Sequence, residues 1–93
     1  MLKLGKEEAL RFGNLLRRWA KGNGFEFDLR EYSDQTMWLW VGVSDFSRFR
    51  ASWWGDTKEE VFSKAAAALL SEGFSEFPDS VEELELLLET RGW

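Results

Sequence analysis

Tryptophan and arginine residues recur at every second position of two short segments, a pattern typical of a docking surface. Trp38 and Trp40 lie two residues apart in the first segment, and Arg48, Arg50 and Trp54 share one parity in the second. Side chains two residues apart in a strand lie on the same face of a sheet. Because Trp and Arg dominate the energetics of many protein interfaces, the pattern predicts a partner-binding surface. The alternative is stacking of the arginines on the indoles within the chain.

Binding of single-stranded nucleic acid is a second interpretation of the same residues, since bases stack on aromatic rings that alternate with cations. Glu26 and Asp28 have the same parity on the preceding segment and oppose this interpretation. The net charge of −5 also opposes binding to a phosphate backbone. Nucleic acid is therefore the weaker prediction.

Catalytic chemistry finds little support in the residue types. The chain has no Cys and no His, which excludes thiolate nucleophiles, imidazole bases and the common zinc ligand sets. Acidic pairs occur at 59–60 and 82–83, each at a predicted helix start, where carboxylates stabilise the helix dipole. The glycine-rich segment 22–24 precedes a strand and so lacks the geometry of a phosphate loop. The sequence predicts a non-enzymatic protein with no cofactor, no metal site and no small-molecule substrate.

Charge is distributed unevenly along the chain. Residues 1–21 carry six basic and two acidic side chains, whereas residues 56–93 carry three basic and ten acidic ones. An acidic segment of this kind can replace nucleic-acid phosphates in a basic groove of a protein partner. Glu82, Glu83 and Glu85 are therefore added to the predicted partner-binding residues. The alternative is that these acidic residues only keep the protein soluble.

Apolar residues at helical spacing predict three helices, over 6–21, from about 58 to about 72, and from Val81 onward. Thr57 with Glu60, and Ser80 with Glu83, have the spacing of capping boxes. Gly13 marks a position where the first helix could approach the sheet, and Leu86 is predicted to widen the apolar stripe of the third helix. The stripe residues predicted to face inward are Ala9, Phe12, Leu15, Leu16, Trp19 and Ala20, then Val61, Phe62, Ala65, Ala66, Leu69 and Leu70, then Val81, Leu84, Leu87 and Leu88.

Alternating patterns predict strands over 25–32, 36–43 and 47–54. The odd-numbered residues of these strands are mostly apolar, and a two-residue turn at 44–45 would set the apolar residues of the last two strands on opposite faces. We therefore expect an odd-length connection, such as 44–46 or 44–48, or a bulge.

The order of elements predicts one α+β domain over residues 1–93, with the order α-β-β-β-α-α. Three strands would form an antiparallel meander, and the first two helices would pack on its odd-numbered face. The short C-terminal helix would either dock at the edge of the sheet or cover part of its second face.

The α-β-β-β-α order resembles double-stranded-RNA-binding-like folds. The segment 55–60, followed by the alanine-rich 65–70, looks like the strand-to-helix junction of antitoxins from HicA/HicB-type pairs. Residues 6–74 are also similar to short uncharacterised phage proteins described as an αβα sandwich, which implies a phage or prophage origin. RNA-binding members place a lysine cluster at the start of the second helix, whereas this chain has Lys58-Glu59-Glu60 there.

Together these observations predict a small, phage-encoded protein that binds and inhibits or modulates a host protein. An anti-CRISPR-type inhibitor of a bacterial defence nuclease complex is one concrete form. The alternatives are an antitoxin-like module that neutralises a small toxin, and a single-stranded nucleic-acid binder. A homodimer, through the same surface or through an edge strand, stays open. The sequence contains no run of about 18 apolar residues, so we expect no membrane span. The lack of cysteine fits a reducing compartment, and the expected location is the cytoplasm.

Overall fold

The computed structural model describes residues 4–32, 36–42, 50–71 and 77–93. Its elements are α1 (Lys6–Gly22), β1 (Glu26–Glu31), β2 (Met37–Gly42), β3 (Arg50–Gly55), α2 (Lys58–Ala66) and α3 (Val81–Arg91), with a π-helical segment, Ala67–Ser71, that continues α2. The predicted α+β class and the order α-β-β-β-α-α are confirmed. The predicted turn at 33–35, the connection after β2 and the predicted end of the second helix lie outside the described residues.

The three strands form an antiparallel sheet in the order β1-β2-β3. Val41 of β2 lies opposite Phe27 on one side and Ala51 on the other, so odd-numbered residues pair with odd-numbered ones. Gly42 lies opposite Arg50, which gives the connection 43–49 an odd number of residues. The predicted parity is therefore confirmed, and every strand turns its odd-numbered side chains toward the same face.

α1 and α2 pack side by side on the odd-numbered face, as predicted. Leu39 and Val41 of the central strand are fully buried beneath them, and the predicted stripe of α1 is buried throughout. Gly13 of α1 lies directly against the ring of Phe62 on α2. The ring is so close that a Cβ at position 13 would overlap it. The close approach that Gly13 permits is thus to a neighbouring helix, and the expectation that it approaches the sheet was wrong.

α3 packs mainly against α1 among the described elements. Leu84 and Leu88 are fully buried, and the indole of Trp93 lies over Gly22 at the end of α1. The two positions expected for this helix, at the edge of the sheet or over its second face, both differ from the observed main contact with α1. Leu86 is 63% exposed, so the prediction that it widens the buried stripe was also wrong.

Candidate functional site

Four aromatic side chains form a continuous cluster on the even-numbered face of the sheet, opposite α1 and α2. We call this cluster, Tyr32, Trp38, Trp40 and Trp54, the aromatic face. The ring centres of Trp38 and Trp40 are 6.3 Å apart, and those of Trp38 and Trp54 are 5.9 Å apart. Tyr32 stacks on Trp54 at 5.7 Å. Each ring therefore contacts the next across the width of the sheet.

The register of the sheet explains why these rings meet. β2 is the central strand, and its Trp38 lies directly opposite Trp54 on β3 and opposite Arg30 on β1. Directly opposite side chains in an antiparallel pair are close enough for aromatic rings to touch. Trp40 follows two residues later on the same face, where Asp28 and Ser52 are its cross-strand neighbours.

Exposure separates this cluster from the core. Trp54 is 51% exposed and Tyr32 is 40% exposed, while Trp38 and Trp40 are half-buried. Among the described residues, the third large apolar side chain with comparable exposure is Leu86, which lies on α3. Two of these three side chains therefore lie in contact on one face, and clustered exposed apolar area is typical of an interaction surface.

Charged side chains border the aromatic face along β1. Glu26, Asp28 and Arg30 line a shallow depression of about 370 Å³ together with Trp38 and Trp40. Trp40 donates its indole N–H to Glu26 Oε2 at 3.3 Å, and Arg30 Nε donates to Asp28 Oδ2 at 2.7 Å. This hydrogen bond to Asp28 is the main cause of the raised pKa of Arg30.

Arg30 also contacts one of the indoles, that of Trp38. Its guanidinium carbon lies 6.0 Å from the ring centre of Trp38, at the outer limit of a cation–π contact. The predicted stacking of an arginine on an indole thus occurs, but the arginine comes from β1. Arg30 and Tyr32 are site residues that the sequence did not assign, although both lie at even positions of the first predicted strand.

The predicted site residues fall into separate groups in the structure. Trp38, Trp40 and Trp54 are brought together as expected. Arg48 lies outside the described residues. Only the main chain of Arg50 is described, and its position opposite Gly42 belongs to the even-numbered register.

The three acidic residues of α3 do not join the aromatic face, because α3 lies with α1 on the helix side of the sheet. The Glu83 side chain accepts a hydrogen bond from the Asp79 N–H at 3.3 Å as part of the helix cap. Glu85 forms an ion pair with Arg11 at 2.6 Å, and this carboxylate is the main cause of the raised pKa of Arg11. Glu82 is exposed on the same helix. The acidic helix and the aromatic face are therefore separate surfaces.

Within the described part of the chain, no group of three or more acidic, His or Cys side chains is arranged to hold a metal ion. No helix in that part is long and apolar enough to cross a membrane. No protein-family model matches this chain, and comparisons with curated proteins and with solved structures give no match.

Proposed function

We propose that this chain is a non-enzymatic binding protein that takes a protein partner on its aromatic face. The observation that supports the proposal is a row of four rings in contact, of which Trp54 and Tyr32 are 51% and 40% exposed. Large aromatic side chains in such a cluster contribute much of the binding energy at protein interfaces. The absence of His and Cys from the sequence supports the non-enzymatic part.

The charges beside the rings favour a protein over a nucleic acid as the partner. Glu26 and Asp28 line the same depression as Trp38 and Trp40, and one of these carboxylates accepts an indole hydrogen bond. A nucleic-acid backbone would bring phosphates toward these carboxylates, and the repulsion would weaken binding. A protein surface can instead offer apolar area to the rings and cations to the carboxylates.

The finer proposal is that the partner is a host protein and that the chain inhibits or modulates it in the host cytoplasm. It rests on the small size, the acidity and the resemblance to phage αβα-sandwich proteins, with a bacterial defence nuclease complex as one concrete partner. Glu82, Glu83 and Glu85 would belong to a separate contact, since α3 packs on the helix side.

A comparison of two exposed side chains tests the aromatic face. Trp54→Ala should weaken binding of a purified protein partner by tenfold or more, about 1.4 kcal/mol, which exceeds the cost of truncating most interface residues. Glu7→Ala is the control, because Glu7 is exposed on α1, outside both the aromatic face and the acidic residues of α3. The partner would first be captured from a bacterial lysate with the native chain, identified, and then titrated against each variant by calorimetry.

Two further results bear on the class of partner. Binding should survive nuclease treatment of the lysate, and it should not show the steep loss with salt that phosphate contacts produce. Equal binding by the Trp54→Ala and native chains would remove the aromatic face from the proposal. Recovery of RNA or DNA without a stoichiometric protein would replace a protein partner with a nucleic acid.

A further inference from the structure

The outer edge of β1 has main-chain groups that no described contact pairs. The Tyr32 N–H donates to the Thr36 oxygen at 2.9 Å, in line with the register of β1 and β2. Hydrogen-bonding direction alternates along an antiparallel strand, so Phe27, Leu29 and Glu31 turn their N–H and C=O groups away from β2. Among the described contacts, these outward groups have no hydrogen-bond partner. The edge can therefore accept another strand.

β3, at the other end of the sheet, is protected differently. α2 packs against β3, and Lys64 Nζ donates a hydrogen bond to the Trp54 main-chain oxygen at 2.7 Å. A lysine that covers an edge is a common means of preventing strand addition. The β3 edge is thus covered at Trp54 by a lysine, whereas no described contact covers the outward groups of β1.

Side chains near β1 define what an added strand would need on each face. On the helix side, a depression of about 290 Å³ is lined by Phe27 and Leu29 and bordered by Arg17 and Lys58. This side favours apolar and acidic side chains. On the opposite side, the charged residues of β1 are the exposed Glu26 and Arg30 and the half-buried Asp28, so a strand with charges of opposite sign in matching positions is favoured.

We infer that β1 pairs with β1 of a second copy of this chain, in antiparallel register about a two-fold axis through Leu29. In this register Leu29 lies opposite Leu29 of the second copy, and Asp28 lies opposite Arg30 of the second copy. Glu31 of the second copy lies opposite Phe27, on the side of the depression bordered by Arg17 and Lys58. The chain thus carries, in its own β1, each side chain that the edge favours.

Charge also distinguishes this register from its neighbour. Because paired residues must share a face, the axis can shift by one whole residue, to Asp28. That shift would place two Asp28 carboxylates directly opposite each other, which is destabilising. The shifted register also sets Glu26 opposite Arg30 of the second copy, so both registers contain two attractive pairs. The register centred on Leu29, with its two Asp28–Arg30 pairs, differs in having no like-charge pair.

This inference does not depend on the proposed function. The axis is perpendicular to the sheet, so both copies keep their aromatic faces on the same side of a six-stranded sheet. Failure of the dimer would leave the binding test at Trp54 untouched, and the reverse also holds.

The first test measures mass and charge complementarity. Sedimentation equilibrium should show a concentration-dependent rise from 10.9 kDa toward twice that mass. Asp28→Arg should raise the dissociation constant about tenfold, since it sets two like-charge pairs in place of two attractive ones. The double variant Asp28→Arg/Arg30→Asp exchanges the charges and should restore the native dissociation constant. Circular dichroism of each variant checks that the fold is retained.

The second test uses the lack of cysteine in the native chain. Leu29→Cys should form an intermolecular disulfide under mild oxidation, because the two Cα atoms of a directly opposite pair fall within disulfide range. Ser52→Cys, at an exposed position of β3, is the matched control and should not cross-link above background. A chain that stays monomeric to about 1 mM would overturn the inference and leave the edge to a different strand. Equal cross-linking of both cysteine variants, or a dimer unaffected by Asp28→Arg, would also overturn it.

Discussion

Two glycines of α1 lie in contact with aromatic rings whose residues are distant in the sequence. The Phe62 ring lies over Gly13, and the Trp93 indole lies over Gly22, so that a Cβ at either glycine would overlap the ring. Glycine normally costs about 1 kcal/mol in a helix interior. At Gly13 that cost is offset by burial of a large ring that brings α1 and α2 together. The sequence showed the glycine but not the ring, because ring contacts join positions far apart in the chain.

Gly13→Ala should destabilise the protein even though alanine is the better helix former. The overlap with Phe62, a ring that is 4% exposed, forces a shift in a packed core that costs about 1–3 kcal/mol. The gain in helix propensity from glycine to alanine is about 1 kcal/mol. The cost of the overlap equals this gain at its lower limit and exceeds it over the rest of the range. Urea denaturation followed by circular dichroism should show a lower midpoint with an unchanged slope.

A double-mutant cycle with Phe62→Leu separates overlap from other causes. Leucine removes the ring atoms that the new Cβ would meet, so Gly13→Ala should cost less in this background than in the native one. Strict additivity of the two changes would mean that the ring does not determine the effect of Gly13.

The capping hydrogen bonds at the starts of α2 and α3 were predictable from the sequence. Thr57 Oγ1 accepts from the Glu60 N–H at 3.1 Å, and Ser80 Oγ accepts from the Glu83 N–H at 3.1 Å. Both contacts join residues three apart, so a short pattern predicts them. The faces of the strands were predictable for the same reason, since alternation is local.

The position of α3 was not predictable, because an apolar stripe records which side of a helix is buried and not which element buries it. Val81, Leu84 and Leu88 are buried as expected, yet the contact is with α1. Because α3 packs against α1, its acidic residues are separated from the aromatic face. The aromatic face itself was largely predictable, and the cation on Trp38 was not, because it depends on the pairing of β1 with β2.

The start of α2 should contribute a pH-dependent part of stability. The Glu60 carboxylate accepts the Asp56 N–H at 2.9 Å and pairs with Lys64 at 3.4 Å, and these contacts, in that order, lower the pKa of Glu60. A carboxylate whose pKa is lower in the folded state stabilises the protein above the unfolded value of about 4.3. That stabilisation is lost as the pH falls through the lowered value.

Glu60→Gln should therefore reduce stability at neutral pH, and its difference from the native protein should shrink as the solution is acidified. Thermal melting from pH 7 to pH 3 measures both effects. Glu59→Gln is the neighbouring control, since no hydrogen bond or ion pair is described for the Glu59 side chain. A difference between Glu60→Gln and native protein that stays constant over this range would contradict the assignment.

At the scale of the whole molecule, the aromatic residues divide into two populations on opposite sides of the sheet. Trp19 is 2% exposed and packs edge-on against Phe25 and Phe77 at 5.4 and 4.9 Å. Trp54 is 51% exposed and contacts other rings of the aromatic face. The first population packs the helices against the sheet, whereas the second includes side chains that are exposed to solvent.

Stability measurements on one tryptophan from each population test whether this division is real. Trp19→Ala should cost about 3–5 kcal/mol, the range for truncating a buried aromatic side chain. Trp54→Ala should cost about 1 kcal/mol, because it removes cross-strand ring contacts but opens no cavity. Guanidinium denaturation of the two variants gives both values on one scale. A similar cost for the two substitutions would mean that the indoles of the aromatic face are needed to maintain the fold. Their presence on the surface would then be no argument for a partner-binding site.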